Sequence, residues 1–135
     1  MRELITIDTA EENRLITELQ KRGDFEALRM KRYLSMPDLS RTPGSPIAEI
    51  VQRILEHPYF KNLDTIQIPE IVPASVSFDL FDFAPDHPAR SKSDTYYVND
   101  KNILRTHTTV MWYYYLADEG VKKRMAENKP VGCFS

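Results

Sequence analysis

A histidine flanked by hydroxyls, in the run Thr106-His107-Thr108-Thr109, is the part of this chain best equipped for chemistry. The β-prone residues before it and the helix-compatible residues after it put it at a strand-to-helix junction. Such a junction turns side chains and unpaired backbone N–H groups toward a pocket and can hold either charged end of a zwitterionic amino acid. The plainer alternative is a structural histidine beside an ordinary helix cap. A second candidate is His87-Pro88-Ala89-Arg90. Its arginine could meet a phosphate or carboxylate through the planar guanidinium fork, or could simply sit exposed on a rigid turn.

Other chemistries find less support. His57, His87 and His107 with scattered carboxylates do not form a metal-ligand spacing such as two histidines four apart with a neighbouring glutamate. A protein-built metal site is therefore not expected. Four glycines spread along the chain do not make a phosphate loop, and there is no nucleophile elbow. Tyr113, Tyr114 and Tyr115 would point about 100° apart on a helix, which suits core packing better than a flat stacking platform. Lys122-Lys123-Arg124 reads as a solvated face near a helix C-terminus, with nucleic-acid contact as the alternative. A formal charge of −2 gives no global pull toward nucleic acid. Cys133 is the single cysteine, which excludes an internal disulfide and fits a reducing compartment, with cytoplasm as the default. No run is long and apolar enough for a membrane span or signal peptide, so no membrane partner is expected.

The elements that would position these residues follow from local patterns. Thr9-Ala10-Glu11-Glu12 is a capping box opening a helix with Leu15, Ile16 and Leu19 on one stripe. Gly23-Asp24 stops it and starts a second short helix lined by Phe25, Leu28 and Leu34. The proline-rich stretch from Ser35 to Pro46 reads as a linker, with a module boundary near Arg41. Ser45-Pro46 opens a helix whose Ile47, Ile50, Val51, Ile54 and Leu55 recur with helical period, so one face must be buried. Thr65 to Ile68 alternates like a half-buried strand ending at Pro69. Residues 75–83 are dense in apolar side chains and lean to a short helix. Asp94–Val98 and Ile103–Thr106, flanking Asn99-Asp100-Lys101-Asn102, read as an antiparallel hairpin. One helix should run from Thr108 or Thr109 past Met125, and Val131–Ser135 looks like the start of a buried strand.

The combination of His87-Pro88-Ala89-Arg90, Asp94-Thr95-Tyr96-Tyr97 and Leu104-Arg105-Thr106-His107-Thr108-Thr109, preceded by Pro69-Glu70 and Phe78-Asp79, resembles the catalytic subunit of phenylalanyl-tRNA synthetases. The resemblance covers roughly residues 45 to 135, and its helix-then-strand-to-proline unit is similar to motif 1 of class II aminoacyl-tRNA synthetases. It implies an α+β fold: part of the class II catalytic domain, an antiparallel sheet flanked by helices, over residues 41–135; the two capped N-terminal helices then stand as a helical extension over 1–40. It further implies that His107 and Thr109 accept hydrogen bonds from the amino group of phenylalanine, for which the histidine must be neutral. Ser93 falls where the family carries a larger side chain facing that amino group. Pro69, His87, Arg90, Asp94, Thr95 and Arg105 would be motif or structural residues, and none is assigned catalysis.

The implied reaction is attack of the phenylalanine carboxylate on ATP with Mg²⁺, followed by transfer to tRNA(Phe). A β subunit or a second copy would be the partner through the motif 1 helix. Motifs 2 and 3 are not found in these residues, so residues 1–135 alone are expected to be inactive. Two rivals stand beside this expectation: a non-catalytic dimerisation module, and a relative of O-phosphoseryl-tRNA synthetase.

Overall fold

A computed structural model describes residues 2–135, and its central strand is β2, Asp64–Gln67. Strand β1, Leu4–Thr6, and strand β5, Cys133–Phe134, run parallel to β2 on either side, giving the order β1-β2-β5. A second sheet pairs β3, Ile71–Pro73, with β4, Asn102–Leu104, in antiparallel register. The fold is therefore α+β, with the expected antiparallel pairing confined to β3–β4 and a parallel three-stranded sheet beside it. Ile66, Ile103, Val110, Tyr115 and Val121 are fully buried in the main core. Pro69 is buried just past the end of β2, where a residue without an N–H ends the ladder at no cost.

Helix α1, Ala10–Gln20, starts at Thr9, whose hydroxyl accepts the N–H of Glu12 at 3.2 Å. The return half of the capping box is missing, because the Glu12 carboxylate instead accepts the N–H of Ile71 at 2.8 Å. Helix α2, Phe25–Leu34, is capped by Asp24 as expected. Its inward residues are Ala27 and Met30, while Phe25 is 73% exposed and Leu28 lies open. With Leu15, Leu19, Ile71 and Val98 they form a second buried cluster that crosses the linker near Arg41.

Helix α3, Pro46–Glu56, is capped by the Ser45 hydroxyl on the N–H of Ala48 at 3.1 Å. No residue of α3 is fully buried: Val51 and Leu55 are half-buried, while Ile47, Ile50 and Ile54 lie open, Ile50 at 58% exposure, so its apolar face is only partly covered. Asp94 and Thr95 belong to a turn rather than to a strand, since both donate their N–H groups to the carbonyl of Ser91. The hairpin is reduced to an antiparallel bridge between Tyr97 and Ile103, and β4 takes β3 as its ladder partner.

The short helix expected over 75–83 is present as α4, Ala74–Ser77, followed by a 3-10 turn at Asp79–Phe81. The single long helix expected after His107 is divided. A 3-10 turn over Thr108–Val110 leads into α5, Met111–Ala117, and α6, Glu119–Ala126, begins anew at Asp118. Asp118 is extended, and its carboxylate accepts the N–H of Val121 at 3.0 Å. Gly120 makes room for it, since a Cβ there would stand 3.1 Å from Asp118 Oδ1.

Arg124 turns inward instead of lining a solvated face. Its guanidinium pairs with Asp64, a buried carboxylate that also accepts the Tyr115 hydroxyl at 2.7 Å and the N–H of Glu3 at 3.0 Å. The Tyr115 oxygen in turn accepts the N–H of Gly132 at 3.0 Å. Burial alone would raise the Asp64 pKa, but Arg124, Tyr115 and the Glu3 N–H together outweigh it and hold the group below its ordinary value.

Candidate functional site

β4 runs straight into Arg105 and then His107, which stands in extended backbone as the residue preceding the 3-10 turn. Its half-buried imidazole is held on both nitrogens. Nε2 lies 3.1 Å from the carbonyl of Ser77, at the end of α4. A carbonyl only accepts, so Nε2 carries the hydrogen; in the neutral ring Nδ1 is then the acceptor, and it takes the hydroxyl proton of Thr109. Phe81 meets the ring edge-on at 5.6 Å between centroids, and Phe83 lies nearly parallel at 6.3 Å. Phe83 also packs on His87 at 4.7 Å.

His107 and Thr109 are thus brought together, as the spacing of the run demands. The hydroxyl spends its proton on the imidazole, which leaves its oxygen with acceptor capacity on a residue that is itself exposed. The arrangement suits an incoming hydrogen-bond donor of positive charge, since among the described residues no second donor reaches the Thr109 oxygen. The imidazole has no nitrogen left to accept, so its contribution runs through Thr109.

Among the remaining residues named from sequence, His87 and Arg90 pack on Phe83 and Phe78 of the aromatic segment beside this pair. His87 caps the 3-10 turn Pro88–Arg90 by accepting the N–H of Ala89 on Nδ1 at 3.1 Å. Arg90 is not free for a phosphate. It donates to Asp79 at 2.7 Å and to the carbonyl of Phe83, and its guanidinium carbon sits 5.2 Å from the centre of the Phe78 ring. Thr95 is buried and donates to the carbonyl of Ala89 at 2.6 Å, tying the turn over 91–95 to the His87 loop. Tyr97 adds a second tie, its hydroxyl donating to the carbonyl of Arg90 at 2.7 Å.

Ser93 and Asp94 are exposed in that turn; the Ser93 hydroxyl bonds Ser91 at 2.7 Å and reaches Asp94 at 3.3 Å, and neither joins the His107–Thr109 pair. Arg105 pairs with Glu70 at 3.4 Å, and its N–H donates to the carbonyl of Glu70 at 2.8 Å. A cavity of about 590 Å³ borders this segment, lined by Tyr33, Tyr96, Glu70, Leu104, Arg105 and Thr108 among others, but neither His107 nor Thr109 lines it. Among the described residues no group of three or more His, Cys, Asp or Glu side chains is placed to hold a metal ion, and no helix is long and apolar enough to cross a membrane.

Sequence reasoning missed Ser77, Phe81 and Phe83 as the neighbours that orient His107. The aromatic density of residues 78–83 was a signal for burial, whereas the carbonyl partner carried no side-chain signal.

Comparison with known proteins adds the family. Residues 32–135 match the model of the tRNA synthetases class II core domain (F). The chain is 41% identical over 80 residues to the phenylalanine–tRNA ligase alpha subunit of Mycoplasmoides gallisepticum, covering 56% of this chain and 23% of that protein. It is 32% identical over 116 residues to the alpha subunit of Acaryochloris marina, covering 79% of this chain and 35% of that one. Against the mitochondrial phenylalanine–tRNA ligase of Saccharomyces cerevisiae, identity rises to 54% over 39 residues, 29% of this chain and 8% of the yeast protein. The chain spans about a quarter to a third of the length of the bacterial relatives. The family match takes in every residue from the α2 C-terminus through β5, including the strand end that presents His107: this chain belongs to the class II tRNA synthetase core domain (F) family.

Proposed function

We propose that these residues form part of the phenylalanine pocket of a phenylalanine–tRNA ligase catalytic subunit, working in the cytoplasm on tRNA(Phe). The observation that carries this reading is the Thr109 hydroxyl, oriented by the His107 Nδ1 and left with free lone pairs at the mouth of a helix. In the proposed role Thr109 accepts a hydrogen bond from the substrate ammonium, and His107 fixes the direction of that hydroxyl. A neutral imidazole is required, since a protonated ring would donate to Thr109 and turn its own charge toward the ammonium. Ser93 serves only if the exposed turn over 91–95 closes on the bound amino acid. Rate enhancement in such a ligase comes from positioning and charge stabilisation. ATP and Mg²⁺ belong to the same proposal as reactants of the longer protein, and no residue described here is assigned to hold them.

The test is phenylalanine binding to the chain by calorimetric titration, with phosphoserine as the competitor amino acid. Uptake of phenylalanine that is lost in Thr109→Val supports the reading, and preference for phosphoserine sinks it. ATP–pyrophosphate exchange driven by phenylalanine is expected from a chain continued with the corresponding segments of its relatives.

A second surface belongs to the same proposal. The apolar face of α3, with Ile47, Ile50 and Ile54 open, would be covered by a β subunit or by a second copy of the chain. Sedimentation of the chain alone distinguishes the two: self-association abolished by Ile50→Asp points to a second copy, and a monomer at high concentration points to the β subunit.

A further inference from the structure

Helix α1 and most of α2 precede the matched residues 32–135, yet they grip the backbone that feeds His107. Arg22, in the joint between the two helices, divides its guanidinium. Nε and Nη2 fork onto Asp24 at 2.9 Å each, and Asp24 caps α2 through the N–H of Ala27 at 3.2 Å. Nη1 crosses to the carbonyl of Val98 at 2.7 Å. One turn along α2, the Arg29 guanidinium lies 4.6 Å from the centre of the Tyr96 ring, and the Tyr33 ring stands 5.3 Å from the same ring.

Tyr96 to Val98 is thus clasped from the helix side, and this same run seats β4. The N–H of Leu104 donates to the carbonyl of Tyr96, and the N–H of Val98 to the carbonyl of Asn102, both at 2.9 Å. Val98 also packs in one buried cluster with Leu15, Leu19 and Met30. From Leu104 only Arg105 and Thr106 intervene before His107, and the N–H of Arg105 is held by the Glu70 carbonyl at 2.8 Å.

We propose that α1 and α2 are a positioning element of the amino-acid pocket, with Arg22 as the positioning residue that holds Tyr96–Val98 on β4 and so sets the seat of His107 and Thr109. The ligand, though not the positioning, rests on the phenylalanine reading above.

Amide hydrogen exchange and phenylalanine titration on the 135-residue chain test it together. Arg22→Met keeps most of the aliphatic stem and removes the donors to both Asp24 and Val98; loss of the charge-assisted bond to the Val98 carbonyl should speed exchange at Val98 and Leu104 about tenfold and weaken phenylalanine binding by a similar factor. Arg22→Lys should recover part of both, because an ammonium can still reach the Val98 carbonyl without the fork. Arg14→Met, at an arginine paired only with Glu11 and Glu18 along its own helix, should change neither. Arg29→Met provides a second probe of the same run through Tyr96.

Unchanged exchange at Leu104 in both Arg22→Met and Arg29→Met overturns the proposal. So does an equal loss of protection at Ile66, which would mean that the helices support the whole core and not this segment. A wild-type chain that takes up no phenylalanine defeats the pocket reading, while exchange at Leu104 still decides the positioning.

Discussion

Thr109 carries the sharpest expectation of any single residue. Replacing its hydroxyl with a methyl in Thr109→Val keeps the shape, removes the acceptor, and leaves His107 Nδ1 without its donor. Phenylalanine affinity should fall about tenfold or more, while stability shifts by less than about 0.5 kcal/mol because the side chain is exposed. Titration calorimetry and urea unfolding of the same sample measure the two quantities, and unchanged affinity would remove Thr109 from the site. Cys133 offers a different residue-scale readout. Burial, with the Asp64 charge nearby, pushes its thiol up to about 11, so little thiolate exists at pH 8. Alkylation by iodoacetamide should run on the order of a hundredfold slower in the folded chain than in urea, and equal rates in both states would contradict the half-buried setting of Cys133 in β5.

At the scale of elements, caps were legible because they are local. Thr9, Asp24 and Ser45 each hold the N–H that their position assigns them. Asp118-Glu119-Gly120 carried the same kind of signal, and the break between α5 and α6 was missed because Leu116, Val121 and Met125 sustain a plausible helical pattern across it. Asp118→Ala should cost about 1 kcal/mol by leaving the first turn of α6 without its acceptor. Thermal unfolding followed by circular dichroism checks this, and an unchanged midpoint would mean that packing of Val121 alone holds the helix. Side-chain burial was far less legible. Phe25 and Leu28 satisfy a period on paper, yet Ala27 and Met30 face inward because α1 approaches from that side, a tertiary fact absent from ten residues of sequence. The His107–Thr109 pair was readable because a single residue separates its members; the partners of its ring came from 77 to 83, and no local pattern points across that distance.

For the molecule as a whole, the buried Asp64 sets an acid limit. Its pKa is depressed in the fold, so its contribution is complete above the unfolded value of about 3.9 and is lost as pH falls through the folded one. Unfolding free energy should therefore decline below about pH 4. Asp24, brought down to about 2 chiefly by its bond with Arg22, adds to the same limb. Asp64→Asn should flatten part of this decline and cost about 3 kcal/mol at neutral pH by stranding the Arg124 charge. Urea titrations across the acid range measure both effects, and an acid slope identical to wild type would exonerate Asp64. The parallel sheet has a consequence for the order in which the protein is made. β2 draws one neighbour from residues 4–6 and the other from residues 133–134. On the ribosome, one edge of β2 stays bare until nearly seventy further residues have emerged, and Asp64 lacks Tyr115 and Arg124 until 51 and 60 more have been added. A nascent chain stalled in that interval presents an open strand edge to chaperones or to its neighbours on the polysome.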